Sequence, residues 1–458
     1  MLMKNVNFVV LAAGKGTRMK SSVPKVLHKL AGRSMLRHVI DATNKVGESK
    51  KVIVTGHGAE QVEEKFESSD TKFVRQEDQL GTAHAVSMAI PELCEDAVVV
   101  VLYGDVPLIR PVTLQRMLAS VNQKSMGLLT ISLDDPDGYG RIVRNADGLI
   151  ESIVEQKDAT NEQRKICEIN TGVMALTSSQ LRNWLPQISN NNAQGEYYLT
   201  DIIAIARQNG IEVNSINPES VTEVEGVNSR LQLSQLERAH QLELAKQLME
   251  SGTTLADPAR FDQRGQLSAG TDNFIDINCI FEGNVTIGSN VSIGPNCCIT
   301  NSMIGNDVEI LANTIIDSSE VGDSAVIGPF ARIRPGTELA EHTKVGNFVE
   351  TKKSHVGRGS KINHLSYVGD SELGENVNIG AGTITCNYDG VEKHKTLLGD
   401  GVFVGSNSTL VAPITVGNDG FIAAGSTITT KVPKDSLAVG RGKQRNIKGW
   451  QPPIKRED

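Results

Sequence analysis

From about Ile275 onward an aliphatic residue recurs every six positions, often with Gly after it: Ile287-Gly288, Ile293-Gly294, Ile304-Gly305, Val321-Gly322, Ile327-Gly328, Val345-Gly346, Ile379-Gly380, Val404-Gly405, Val416-Gly417. Six matches neither the helical period of 3.6 nor the strand period of two. It matches the hexapeptide repeat of a parallel β-helix, in which a hexad makes one short strand and one turn and three hexads close a triangular coil. The aliphatic side chain points into the prism, and the Gly or Asn beside it permits the turn. Coils stack about 4.8 Å apart through coil-to-coil hydrogen bonds. The pattern does not encode handedness; general connection rules favour right-handed coils. The beat slips to five at Ile299 to Ile304, Ile316 to Val321 and Val368 to Leu373, and it is lost between Thr383 and Thr396. Insertions in a solenoid become loops on one face, often the functional one.

The first half has a different pattern. Short apolar runs at Val9 to Ala12, Val52 to Thr55, Ala97 to Tyr103 and Leu128 to Leu133 read as buried strands. Leu36, Val39, Ile40 and Thr43 lie between the first two at helical spacing. This alternation predicts βαβ units and a mostly parallel sheet with helices on both faces. Between the halves, Leu233, Leu236, His240, Leu244 and Leu248 recur at three and four, predicting a long amphipathic helix that ends near Gly252. His240 on it reads as structural. The expected domains are 1–230, a linker helix 231–251 and a β-helix with its tail over 252–458.

The 458 residues exceed one core, in keeping with two or more domains. A net charge of -8 gives no electrostatic case for nucleic acid or an anionic membrane. Cys94, Cys167, Cys279, Cys297, Cys298 and Cys386 form no C-x-x-C pair, which argues against a zinc site or disulfide frame and fits a reducing cytoplasm. The apolar run Asn7 to Leu11 is too short for a signal peptide or a membrane span.

Ligands of open α/β sheets bind beyond the carboxyl ends of the strands. The first strand runs into Leu11-Ala12-Ala13-Gly14-Lys15-Gly16-Thr17-Arg18-Met19. Small residues let backbone N–H groups approach an anion, and Lys15 and Arg18 can neutralise it. The loop is neither a Walker A loop nor a dinucleotide fingerprint, and alone it equally describes a plain turn. Pro24-Lys25 adds a cation near the same mouth. The run Val98 to Leu102 ends in Tyr103-Gly104-Asp105-Val106-Pro107. Asp105 there is either a turn or cap aspartate or a Mg²⁺ ligand; beside the Gly14 loop the metal reading leads.

Together with Gln76, Gln79-Leu80-Gly81-Thr82-Ala83-His84-Ala85, Gly138-Tyr139-Gly140-Arg141 and Glu155, these segments resemble the sugar-1-phosphate nucleotidyltransferases over roughly the first 230 residues. The resemblance implies that a sugar-1-phosphate oxygen attacks the α-phosphate of UTP and pyrophosphate leaves. It implies that Leu11, Ala12, Ala13, Gly14, Arg18 and Lys25 hold the nucleotide phosphates. Gln76, Gly81 and Thr82 would read uracil. Gly140, Glu155 and Asn170 would hold the sugar, with Thr171 beside them; Tyr103 and Gly104 would also belong to the UTP and UDP-N-acetylglucosamine site, and Asp105 and Asn228 would bind Mg²⁺. Asn228 also reads as part of a helix cap, because Ser229 to Gln232 has the form of a capping box.

In the second half, Arg334, Glu350, Lys352, Lys353, His364, Tyr367 and Asn378 crowd just before the break in the beat. Singly each reads as a solvated turn residue; together they suggest a site. His364 has the chemistry of a general base, and a carboxylate such as Glu350 could orient it or raise its basicity. Asn347-Phe348-Val349-Glu350, Lys352-Lys353, His364-Leu-Ser-Tyr367, Asn378 through Gly390 and Gly405-Ser406 resemble the hexapeptide acyltransferases. More closely, they resemble the bacterial bifunctional family that joins a uridylyltransferase to a glucosamine-1-phosphate acetyltransferase. That resemblance spans essentially the whole chain, and loosely 451–458.

It implies a left-handed coil, homotrimers and cytoplasmic precursor synthesis for the cell envelope. It implies acetyl transfer from acetyl-CoA to glucosamine-1-phosphate, then uridylyl transfer to N-acetylglucosamine-1-phosphate. His364 would be the base. Arg334, Lys352, Tyr367, Asn378 and Lys393 would hold the sugar phosphate. Ala381, Asn387, Tyr388, Ser406, Ala424 and Arg441 would line the acetyl-CoA site. The alternative is a single-activity nucleotidyltransferase whose β-helix only oligomerises or binds effectors.

Overall fold

The computed structural model describes residues 5–453; residues 454–458 of the loosely matching tail lie outside them. Two compact units meet in sequence between His240 and Gln241. In the first, the principal strands are β1 (Val6–Leu11), β2 (Lys50–Thr55), β3 (Thr71–Arg75), β4 (Val98–Tyr103), β5 (Ser125–Ser132), β6 (Glu168–Thr177) and β7 (Glu212–Ile216). Two helices bear on the site, α1 (Met35–Asn44) and α2 (Thr82–Ala89).

The sheet order is β7-β5-β6-β4-β1-β2-β3. All these pairings are parallel except those of β6, which runs antiparallel to both β4 and β5. The strands are apolar on both faces because both faces are covered. Phe8 and Val10 pack on one side with Leu36, Val39 and Ile40 of α1. Val9 and Leu11 pack on the other with Ala85 and Val86 of α2. The chain order reverses at β1, which has β4 on one side and β2 on the other, so a crevice opens at the ends of β1 and β4.

The predicted linker is a helix, α3 (Arg230–Glu250). Leu236 joins Leu30, Met35 and Val227 in a small core of the first unit. Ala245 and Leu248 belong to the core of the second. The division between units thus falls inside the helix, each part of which supplies core to one unit.

The second unit is a parallel β-helix, consistent with the left-handed coil that the resemblance implies. Ile275, Ile293, Ile310, Ile327, Val345, Ile362, Ile379, Val404 and Ile422 pair in register from coil to coil and are all buried. Corners in the left-handed region carry Asn where the beat is clean, as at Asn278, Asn296 and Asn313, with φ of 60°, 62° and 60°. Asn tolerates that region best after Gly. The slips to five shorten one corner, and the coil stays in register across each of them.

The break is narrower than the pattern suggests. Ile384–Cys386 still forms a strand and pairs with Thr409–Val411. Thr385 takes the inward position there, its hydroxyl accepting from the Gly369 N–H at 2.8 Å. A threonine in place of an aliphatic hides the beat while the coil continues. The excursion proper is a hairpin between Cys386 and Thr396, closed by a bridge between Tyr388 and Lys393. Among the described residues no helix is long and apolar enough to cross a membrane.

Candidate active sites

In the first unit a cleft of about 340 Å³ opens at the chain reversal. It is lined by Leu11, Ala12, Ala13, Gly14, Lys25, Gln76, Gly81, Thr82, Tyr103 and Asp105, with Val26, Gln79, Ala85 and Glu196. The loop after β1 turns through Gly16, whose φ is +59° and whose Cβ, were it present, would stand 2.8 Å from Cβ of Lys25. Glycine here brings Lys25 into the mouth. The Lys25 ammonium is ion-paired with Asp105 and donates to Asn228 Oδ1 at 3.1 Å. Asp105 and Asn228, far apart in sequence, therefore converge on one positive charge. One carboxylate and one amide oxygen suit Mg²⁺, which takes few protein ligands and completes its shell with water and phosphate oxygens. Asn228 does not itself cap α3. Ser229 Oγ accepts from the Gln232 N–H at 3.2 Å, while Gln232 Oε1 accepts from the Asn228 N–H at 2.9 Å, leaving the Asn228 side chain to the cleft cation.

Arg18, on the short turn Thr17–Met19, is exposed and does not line the cleft. Gly104, Gly140, Glu155 and Asn170 also lie outside the lining. The Gly104 N–H donates to Leu11 O at 2.9 Å, tying β4 to β1. The other three gather next to Tyr103. The Asn170 N–H donates to Gly140 O at 2.8 Å, and Asn170 Oδ1 accepts from the Gly172 N–H at 2.9 Å. A Cβ on Gly172 would stand 2.5 Å from the Tyr103 ring. Burial, with the Asp105 and Glu155 carboxylates adding, pushes the Tyr103 phenol well up. Burial likewise raises Glu155, against a hydrogen bond from Thr200 and with Asp158 and Asp201 adding to the rise.

The β-helix carries a second constellation. Asn347 and His364 are paired in register and lie two residues past the inward Val345 and Ile362. Ala381, Ser406 and Ala424 lie two past the inward Ile379, Val404 and Ile422 of the same sheet. These residues form one edge of the prism, and Arg441 joins it by donating to Ala424 O at 2.6 Å. His364 Nδ1 is 2.6 Å from Asn347 Oδ1. An amide oxygen only accepts, so Nδ1 carries a proton, and in the neutral ring Nε2 is then the nitrogen with the lone pair. Glu350 makes no hydrogen bond with His364 among the described residues. Its carboxylate accepts from Arg334 at 2.6 Å, on the neighbouring sheet, and Asn347 takes the orienting place instead.

Lys352 and Lys393 come together from the coil and the hairpin. The Lys393 ammonium, with Arg334 adding, holds Lys352 below the usual lysine range. Like charges in contact are stabilised by an anion between them. Asn387 is buried and bonded to Asp370 and, at 3.5 Å, to the Tyr367 hydroxyl, so it braces the base of the hairpin. Tyr388 is exposed on the hairpin. Asn378 stands in the ladder Lys361–Asn378–Phe403, one residue before the inward Ile379, and faces out from the flat of that sheet.

Comparison with known proteins follows the same division. Residues 8–168 match the MobA-like NTP transferase domain and 265–356 the GMPPB C-terminal domain. The bifunctional protein GlmU of Marinobacter nauticus is 58% identical over 99% of this chain and all of its own length. The chain belongs to the bifunctional GlmU family. GlmU of Cellvibrio japonicus is 54% identical over 98% of this chain and its whole length. A nucleotidyl transferase of Methanothermobacter thermautotroptrophicus is 20% identical, covering 53% of this chain and 99% of its own, with a TM-score of 0.39.

Three further residues, to which the sequence motifs assign no role, stand beside the two sites. Gln79 donates from Nε2 to Ala13 O at 2.6 Å and braces the loop after β1. Glu196 lines the cleft. Asn347 has a legible signal: aligning coils at the 17-residue step that joins Val345 to Ile362 places it directly against His364.

Proposed function

We propose that the two constellations are the two active sites of a bifunctional transferase of UDP-N-acetylglucosamine synthesis. The chain acetylates glucosamine-1-phosphate from acetyl-CoA in segment 252–458. It then transfers uridylyl from UTP to N-acetylglucosamine-1-phosphate in segment 1–230, releasing pyrophosphate. The observation that carries the reading is the edge Asn347–His364–Ala381–Ser406–Ala424, which sets the His364 imidazole in line with small residues of the three coils that follow it.

In acetyl transfer the sugar amine must be neutral to attack the thioester carbonyl. His364 Nε2 takes the amine proton as the C–N bond forms, and the C–S bond breaks to release CoA. Asn347 holds the ring in the tautomer that does this. Arg334, Lys352 and Lys393 bind the phosphate of the sugar, with Tyr367 and Asn378 beside it. Ala381, Tyr388, Ser406, Ala424 and Arg441 border acetyl-CoA, while Asn387 sets the hairpin against them.

In uridylyl transfer no covalent nucleophile is needed; positioning and charge neutralisation suffice. The Gly14 loop and Arg18 take the triphosphate, and Lys25 moves from Asp105 to the phosphates. Asp105 and Asn228 would hold Mg²⁺, which would supply positive charge against the triphosphate. Gln76, Gly81 and Thr82 read uracil. Glu155, Gly140 and Asn170 hold the sugar behind Tyr103.

The protein works as a cytoplasmic homotrimer. Phe330, Phe348 and Leu365, 50%, 56% and 61% exposed, occupy left-handed corners where upstream coils carry Asn. Each costs about 1–2 kcal/mol in backbone strain. An exposed apolar ladder under such strain suits a face covered by other copies of the chain, next to the His364 edge. The test is product identification with glucosamine-1-phosphate, acetyl-CoA, UTP and Mg²⁺. UDP-N-acetylglucosamine, pyrophosphate and free CoA thiol are expected. Absence of thiol release alongside normal uridylyl transfer would refute the second site.

A further inference from the structure

We infer that His84 is a positioning residue that sets the choice of uridine over cytidine triphosphate by fixing the side-chain amide of Gln76. The inference rests on the reading above that Gln76 faces the base. Gln76 Nε2 donates to Gly81 O at 3.1 Å and to His84 Nδ1 at 3.0 Å, so both of its hydrogens are committed. Oε1 accepts no hydrogen bond from the described residues, and Gln76 lines the cleft, so the oxygen is the atom offered to the base.

Uracil presents an N3–H donor between two carbonyls. Cytosine presents a bare N3 lone pair beside an amino group. An amide oxygen accepts from the first and repels the second. A flipped amide would reverse that preference. Two acceptors oppose the flip, because Oε1 would then face both the Gly81 carbonyl and the Nδ1 lone pair. The carbonyl is an acceptor in every state of the protein. Nδ1 is one only while the ring proton sits on Nε2. His84 also lines a separate cavity of about 360 Å³ with Ser87, Leu185 and Tyr197. His84 Nε2 is not among the buried side-chain atoms left without a partner, so the tautomer with a bare Nδ1 buries no orphan donor.

The experiment measures kcat/KM for UTP and for CTP in the full chain. His84→Leu removes the acceptor with little change of bulk. The UTP:CTP ratio should fall about tenfold, the worth of roughly one hydrogen bond. The loss should appear mainly as a higher KM for UTP, with kcat within about twofold. His84→Asn places an amide oxygen where Nδ1 stands and should restore most of the ratio. Acetyl transfer by the same preparations controls for folding. A parental ratio in His84→Leu, with a collapsed ratio in Gln76→Ala, would overturn the role of His84 while leaving Gln76 as the reader. A parental ratio in Gln76→Ala would overturn both. Loss in His84→Leu that His84→Asn fails to rescue would mark the histidine as packing only.

Discussion

Asn347→Ala removes the hydrogen bond that Asn347 makes to the His364 ring, and its consequence follows from the geometry. The bond is 2.6 Å long and joins two partly solvated side chains, so its net worth is about 0.5–1.5 kcal/mol. Without it the ring rotates and the proton redistributes between nitrogens, yet the base itself remains. A factor of ten in rate corresponds to about 1.36 kcal/mol, so kcat for acetyl transfer should fall roughly three- to tenfold. His364→Ala removes the base and should cost about 10²–10⁴-fold. Asn347→Asp separates orientation from charge. It keeps the acceptor, but a carboxylate beside the imidazole favours the charged ring. The base is then protonated over more of the pH range. The acid limb of kcat/KM should move up by about one unit, with the rate recovered by raising pH. Thiol release from acetyl-CoA across pH 5.5–9 reads both effects. A parental rate in Asn347→Ala, or an acid limb that stays in place in Asn347→Asp, would refute the argument.

Thr385→Val keeps the shape of the inward side chain but leaves the Gly369 N–H buried without its acceptor; the fold should lose about 1–3 kcal/mol, read as a lower Tm. Glu155 has a raised pKa in the folded chain, chiefly from burial, so its unfavourable contribution grows as pH rises from the unfolded carboxyl pKa through the folded one. Glu155→Gln should therefore stabilise the protein at neutral pH and lose that advantage below about pH 4, while uridylyl transfer weakens; thermal melts at pH 4 and pH 7.5 check the sign. Lys393→Ala relieves the repulsion at Lys352 but removes a phosphate ligand; KM for glucosamine-1-phosphate should rise roughly tenfold, less at high salt, with kcat little changed. Equal KM values for the variant and its parent would argue against an anion between the two lysines.

Much of this architecture is legible because its periods are strong. The six-residue beat places the inward ladder from Ile275 to Ile422, and the apolar runs place β1, β2 and β4. What the pattern hides is polar. Thr385 occupies a core position with its hydroxyl satisfied inside the coil, so the beat seems to stop a strand too soon. The division inside α3 is hidden as well, because Leu236 and Leu248 share one stripe yet serve different cores. At the sites, residue type suggests chemistry but not pairing. His364 and Glu350 suggest a base and its carboxylate. The coil register instead sets Asn347 against the imidazole and leaves Glu350 to Arg334. Lys25, Asp105 and Asn228 are each plausible phosphate or metal residues in sequence; only the fold shows that they meet.

The central claim is that one chain carries two independent chemistries. Its most direct test assays both activities in full-length Asp105→Ala and His364→Ala. The account predicts that Asp105→Ala abolishes Mg²⁺-dependent formation of UDP-N-acetylglucosamine from UTP and N-acetylglucosamine-1-phosphate while acetyl-CoA still releases its thiol at the parental rate. It predicts the reverse for His364→Ala. Loss of both activities in either folded variant would contradict it.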